Sequence, residues 1–176
     1  MPVIAPLEPA SVDEESRKRI EAGLATGMYS QTLPLRIMAH APAALRAMDE
    51  GYKAMFRRSL LDDRLREMLR LYSAQVNGCG PCSQSRKEDS VSDETAACLI
   101  NDMPDDATDR ERAAIRFIAL MTRDHFAITP QVYRDLGRHF STAEIVELGW
   151  TCAQTIAGHR FLHSLDIAGE EQPVLT

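Results

Sequence analysis

Helix-start signals recur along this chain so closely that little room is left for anything but a succession of helices. Ser11 with Glu14, Ser90 with Asp93, Thr108 with Glu111 and Ser141 with Glu144 each place a hydroxyl three residues ahead of a carboxylate. At that spacing the two side chains can each satisfy an orphan backbone N–H at a helix N-terminus. Thr129-Pro130 adds a cap followed by a first-turn proline, and Pro42 and Asp62 suit the starts of two more helices.

The apolar residues between these signals keep a helical period. Leu45, Met48, Tyr52, Met55 and Phe56 form one stripe, in a helix expected to end near Ser59. Leu65, Met68, Leu69, Tyr72 and Val76 form another, which Asn77-Gly78 stops. A helix from Ser11 to about Met28 precedes them, and Leu33–Met38 reads as a short connector. The last helix is expected from about Thr142 to Asp166, burying Ile145, Leu148, Trp150, Cys152, Ile156, Phe161, Leu162 and Leu165 as it crosses the core. No alternating β-branched run and no internal repeat interrupts the pattern, so the fold class is all-α.

With 176 residues and 44% hydrophobic content the chain can bury one core, so a single domain is expected. The proline-rich residues 1–10 should form an extended arm free to clasp a neighbouring subunit, and the first helix completes an N-terminal segment of residues 1–32. A formal charge of -6 offers no positive field for nucleic acid or anionic lipid. The amino terminus lacks a signal pattern and no stretch spans a membrane, so the expected location is the cytoplasm.

Chemistry concentrates in Cys79-Gly80-Pro81-Cys82. C-x-x-C in a reducing compartment points to redox or metal chemistry. The segment Cys79–Glu88 reads as a further helix with the dithiol in its first turn, where backbone N–H groups favour thiolate. Three residues of separation allow the sulfurs to join as a disulfide, and Pro81 stiffens the loop. Glu67 lies twelve residues earlier on a helix that turns back into the cysteines. Buried, it would be fitted to pass protons to and from sulfur; solvated, it would be an ordinary surface glutamate, and the pattern does not decide between them.

The stretch from Glu67 through Asn77-Gly78 to Cys79-Gly80-Pro81-Cys82 resembles the core motif of alkylhydroperoxidase D-like proteins in the carboxymuconolactone decarboxylase family. Leu33–His40, Phe140–Leu148 and Arg160-Phe161 also resemble that family, so that residues 33–167 read as its helical core and 168–176 as a C-terminal tail. The resemblance implies an all-helical bundle assembled as a homotrimer or homohexamer. It implies reduction of hydroperoxides by Cys82, resolution by Cys79, proton relay by Glu67 and recycling by a protein dithiol reductant. The family's relay histidine, four residues after the second cysteine, is replaced by Arg86, and Pro81 stands between the cysteines where some members carry another histidine. Arginine does not release its proton but can stabilise a thiolate, unless Arg86 simply pairs at the surface with Glu88 or Asp89.

Rival readings are a decarboxylase-like lyase or isomerase acting on a small lactone acid, and a non-catalytic helical oligomer that keeps the motif. Cys79 and Cys82 with His159 and His163 spell a zinc spacing, but the long gap and the full core argue against a finger. One of those histidines lying over the dithiol could replace the missing base. Cys98 and Cys152 fall on apolar faces and read as inert core thiols. No nucleotide or phosphate motif occurs, and neither cofactor nor metal is expected.

Overall fold

The computed structural model describes residues 2–101 and 103–167. The expected tail at 168–176 lies outside them. Among the described residues there are nine α-helices and no strand, so the all-α reading holds. The described residues divide into two compact units, one made of residues 2–57 together with 161–167, the other of those between Arg58 and Arg160.

The first unit holds α1 (Glu14–Ala25), α2 (Leu33–Met38) and α3 (Pro42–Arg57). The cap of α1 is Asp13, which accepts from Ser16 N at 3.0 Å. Ser11 closes a 3-10 turn, its N–H donating to Glu8 O at 2.8 Å, and lies two residues ahead of that cap. The expected connector 33–38 is helical, because Pro34 fits a first turn and Leu35 and Ile37 find a core to enter. The N-terminal arm clasps its own chain. Val3 N donates to Leu165 O and Leu7 N to Arg36 O, and Arg36 donates back to the Leu7 carbonyl. Val12, Ile20, Leu35, Ala39 and Leu45 close the core. Beside it Asp49, fully buried, accepts from Arg19, Tyr29 and Lys53.

The second unit contains α4 (Asp63–Val76), α5 (Gly80–Gln84), α6 (Asp93–Cys98), α7 (Asp109–Arg123) and α8 (Pro130–Leu136), with most of α9 (Thr142–Ser164). Asp62 caps α4 by accepting from Leu65 N at 2.9 Å. Thr108 and Glu111 make the reciprocal box expected of them at α7, as do Ser141 and Glu144 at α9. At α6 the cap is Ser92 instead of Ser90. The Ser90 carbonyl, which a cap would offer to the first helical bond, is taken by Arg64 at 2.9 Å.

Every residue of α4 from Leu65 to Ala74 is buried, polar ones included. It packs with Phe117 and Ile118 of α7, Leu136 of α8 and Leu148, Cys152 and Ile156 of α9 in one apolar cluster. The buried face of α9 is Leu148, Thr151, Cys152, Thr155, Ile156 and His159. Trp150 and Phe161, expected inside, are 64% and 45% exposed, because a helix of this period turns those positions away from that face.

Candidate dithiol site

α4 delivers the chain to the dithiol through a tight turn. Asn77 N donates to Ser73 O, and Gly78 adopts φ 69°, a left-handed conformation that suits glycine and ends the helix. Cys79 N then donates to Ala74 O at 2.9 Å, which fixes the first cysteine against the last turn of α4. Cys79 and Cys82 are joined as a disulfide with 5.3 Å between their Cα atoms. Cys79 is 2% exposed whereas Cys82 is half-buried, so solvent approaches the pair from the Cys82 side.

The predicted helix over Cys79–Glu88 is shorter than expected and stops at Gln84. The reason is Arg70, a residue the sequence reading passed over. Its Nη1 donates to Cys82 O at 2.7 Å and its Nη2 to Ser85 O at 2.6 Å, so the Cys82 carbonyl serves a guanidinium in place of a further helical turn. Arg70 also grips Glu67 with two bonds, Nε to Oε2 at 2.8 Å and Nη2 to Oε1 at 2.6 Å. Both side chains are buried, at 3% and 0% exposure. A bidentate pair of this kind is among the stronger ionic contacts, and burial would be costly without such satisfaction. Glu67 Oε1 further accepts from Lys87 N at 3.0 Å. The glutamate is therefore buried, one of the two alternatives left open by the sequence. Burial, followed by the charge of Arg70, lowers the Lys87 ammonium below its ordinary value.

Arg86 lies beyond α5. Its Nη1 donates to Ser83 O at 2.7 Å and its Nη2 to Asp93 at 2.9 Å, so its ion pair is with Asp93 and not with Glu88 or Asp89. His159 reaches the back of the site from α9. It is 1% exposed, and its Nδ1 lies 2.9 Å from Ser73 Oγ, one turn along α4 from Arg70. Burial, and secondarily the charge of Arg70, depress the imidazole to about 4, so it is neutral at physiological pH. His163, four residues on, is exposed. Among the described residues no group of three or more His, Cys, Asp or Glu side chains is arranged to hold a metal ion.

Cys152 is fully buried and its thiol is pushed well up by desolvation, as expected of an inert thiol. Cys98 is exposed at the end of α6, which corrects its assignment to the core. The apolar side of that one-and-a-half-turn helix is taken by Thr95, Ala96 and Leu99, and position 98 faces away. Arg70 and Ser73 were the residues missed. Arg70 stands three residues after Glu67, the spacing at which helical side chains meet, and that relation was the available signal.

The carboxymuconolactone decarboxylase family model matches residues 42–120, the segment that carries Glu67, Cys79 and Cys82. The resemblance read from the motif is thus borne out there. No curated protein matches the chain. Among solved structures, an uncharacterized peroxidase-related protein from Ralstonia eutropha JMP134 with an alkylhydroperoxidase AhpD core superposes with a TM-score of 0.78 at 18% identity, covering 97% of this chain and 93% of its own. A peroxidase-related protein from Silicibacter sp. TM1040 gives 0.73 at 21% identity, covering 93% and 90%. The debrominase Bmp8 gives 0.75 at 15% identity, also covering 93% and 90%. At these identities the likeness is one of fold.

Proposed function

We propose that this chain, whose central segment is of the carboxymuconolactone decarboxylase family, is a thiol-dependent oxidoreductase that reduces hydroperoxides through Cys79 and Cys82. The observation that carries the reading is the disulfide between a buried Cys79 and a half-buried Cys82. In the proposed cycle the Cys82 thiolate attacks the hydroperoxide, an S–O bond forms as the O–O bond breaks, and the alcohol leaves with a proton. Cys79 then attacks the sulfenic sulfur, the S–S bond forms, and water departs. A protein dithiol returns two electrons and two protons. The accessible sulfur is the one suited to attack and the buried one to resolution.

Glu67 is the proposed proton relay. Its partner Arg70 holds its own protons, so the guanidinium does not carry a proton to or from the carboxylate. Arg86 is the proposed thiolate stabiliser, tethered to the carbonyl of the residue after Cys82. The proposed assembly is a homotrimer or homohexamer, which light scattering distinguishes from a monomer. No helix among the described residues is long and apolar enough to cross a membrane, and a cycle that needs a dithiol reductant fits the reducing cytoplasm.

The test is a thiol count on the reduced protein before and after stoichiometric peroxide, with peroxide consumption followed alongside. Loss of two thiols per chain, mapped to Cys79 and Cys82, with one peroxide consumed, is the expected outcome. Four thiols retained after exposure would exclude the redox reading and leave the lyase or the non-catalytic oligomer.

A further inference from the structure

The dithiol segment is pinned at both ends, and most of the rear fastening comes from one side chain. In front, Cys79 N is bonded to Ala74 O. Behind, Arg70 holds the carbonyls of Cys82 and Ser85, and the carboxylate that Arg70 grips holds Lys87 N. Only Gly80 and Pro81 lie between the cysteines. α5 has five residues, too few for a helix to sustain itself. Its geometry is therefore imposed by α4, chiefly through a guanidinium that is 3% exposed.

We propose that Arg70 is a positioning residue for the dithiol, whose clamp on the Cys82 and Ser85 carbonyls keeps the two sulfurs near closing distance in the reduced protein and so favours the Cys79–Cys82 disulfide. The inference rests on the redox reading of the pair but concerns its thiol–disulfide equilibrium and not the oxidant. Closing a disulfide costs less when the chain between the thiols is already held, because the ordering entropy has been spent in folding. None of the four donors in use touches a sulfur. The effect acts through the backbone, and it depends on the planar fork that spans two carbonyls and a carboxylate together.

The experiment equilibrates the full-length protein with reduced and oxidised glutathione and reads the Cys79–Cys82 disulfide by thiol trapping and mass mapping. In each exchange two glutathione thiols are oxidised to their disulfide as the protein disulfide takes up two electrons and two protons. Arg70→Lys keeps a cation beside Glu67 but cannot hold all three acceptors. Its disulfide should be disfavoured about tenfold, equivalent to a potential about 30 mV more oxidising. An equilibrium constant within twofold of wild type, whatever the change in melting temperature, would reduce Arg70 to a purely structural role and overturn the proposal.

Should Arg70→Lys fail to fold, hydrogen exchange of the wild-type Arg70 Nη1–H, which donates to Cys82 O, decides the matter. Protection that persists on reduction is expected, and a rapidly exchanging Nη1–H in the reduced protein overturns the clamp. Wild-type protein that consumes no peroxide while Arg70→Lys shifts the equilibrium would remove the peroxidase reading and leave this inference standing. Normal peroxide turnover with an unmoved equilibrium would do the reverse.

Discussion

A neutral imidazole buried at position 159 ties the stability of the chain to pH. His159 falls from 6.5 to about 4 on folding, first through burial and then through the charge of Arg70. Above about 6.5 it is neutral in both states and its contribution is complete. As the pH falls below that value the unfolded chain takes up a proton the folded chain refuses, so stability declines until about pH 4, where both are protonated. A shift of this size is worth on the order of 3 kcal/mol across the window. Urea unfolding of wild type and His159→Gln at pH 7, 5.5 and 4.5 should show a steeper decline in wild type. Parallel pH dependences would mean that the imidazole is not held neutral. This role could not be read from the sequence, and of the role of Arg70 only its spacing of three residues from Glu67 could. His159 touches Ser73 across 86 positions of chain, and such adjacency belongs to the packing of α9 on α4. Glu67 was found because its spacing to the cysteines is a motif, while the choice between a buried and a solvated glutamate needed Arg70.

Ends set by local chemistry were foreseeable except at α1, where the cap is Asp13 and not Ser11, and those set by remote partners were not. Asp62 opens α4, Thr108 and Glu111 open α7, and Ser141 and Glu144 open α9, because in each case the cap and the backbone N–H that donates to it lie within three residues. Asn77-Gly78 closes α4 for an equally local reason, the positive φ of Gly78. α5 and α6 depart from expectation where a distant arginine intervenes: Arg70 takes the Cys82 carbonyl and shortens α5, and Arg64 takes the Ser90 carbonyl and moves the start of α6 to Ser92. Burial in α9 was misjudged for a different reason. The helix is apolar on more than one side, so its period does not say which side meets the core, and Thr151, Thr155 and His159 are inside while Trp150 is not.

For the whole molecule, a redox-active disulfide must be one the fold can do without. The apolar cluster that joins Leu65, Met68 and Leu69 of α4 to Phe117, Ile118, Leu136, Leu148 and Cys152 includes neither Cys79 nor Cys82. The cross-link spans a sequence separation of only 3. Chain-entropy arguments for so short a loop give about 2 kcal/mol of stabilisation at most. In a chain of this length, 1 kcal/mol corresponds to roughly 2–4 °C in melting temperature, so reduction should lower it by no more than about 8 °C. Helical circular dichroism at 25 °C should be the same with and without reductant, and Cys79→Ser with Cys82→Ser should melt close to the reduced wild type. Loss of helix on reduction would make the disulfide a structural staple and the proposed cycle untenable, since each turnover would unfold the protein. Retention of helix with a small melting shift is what a bond made and broken in every cycle requires.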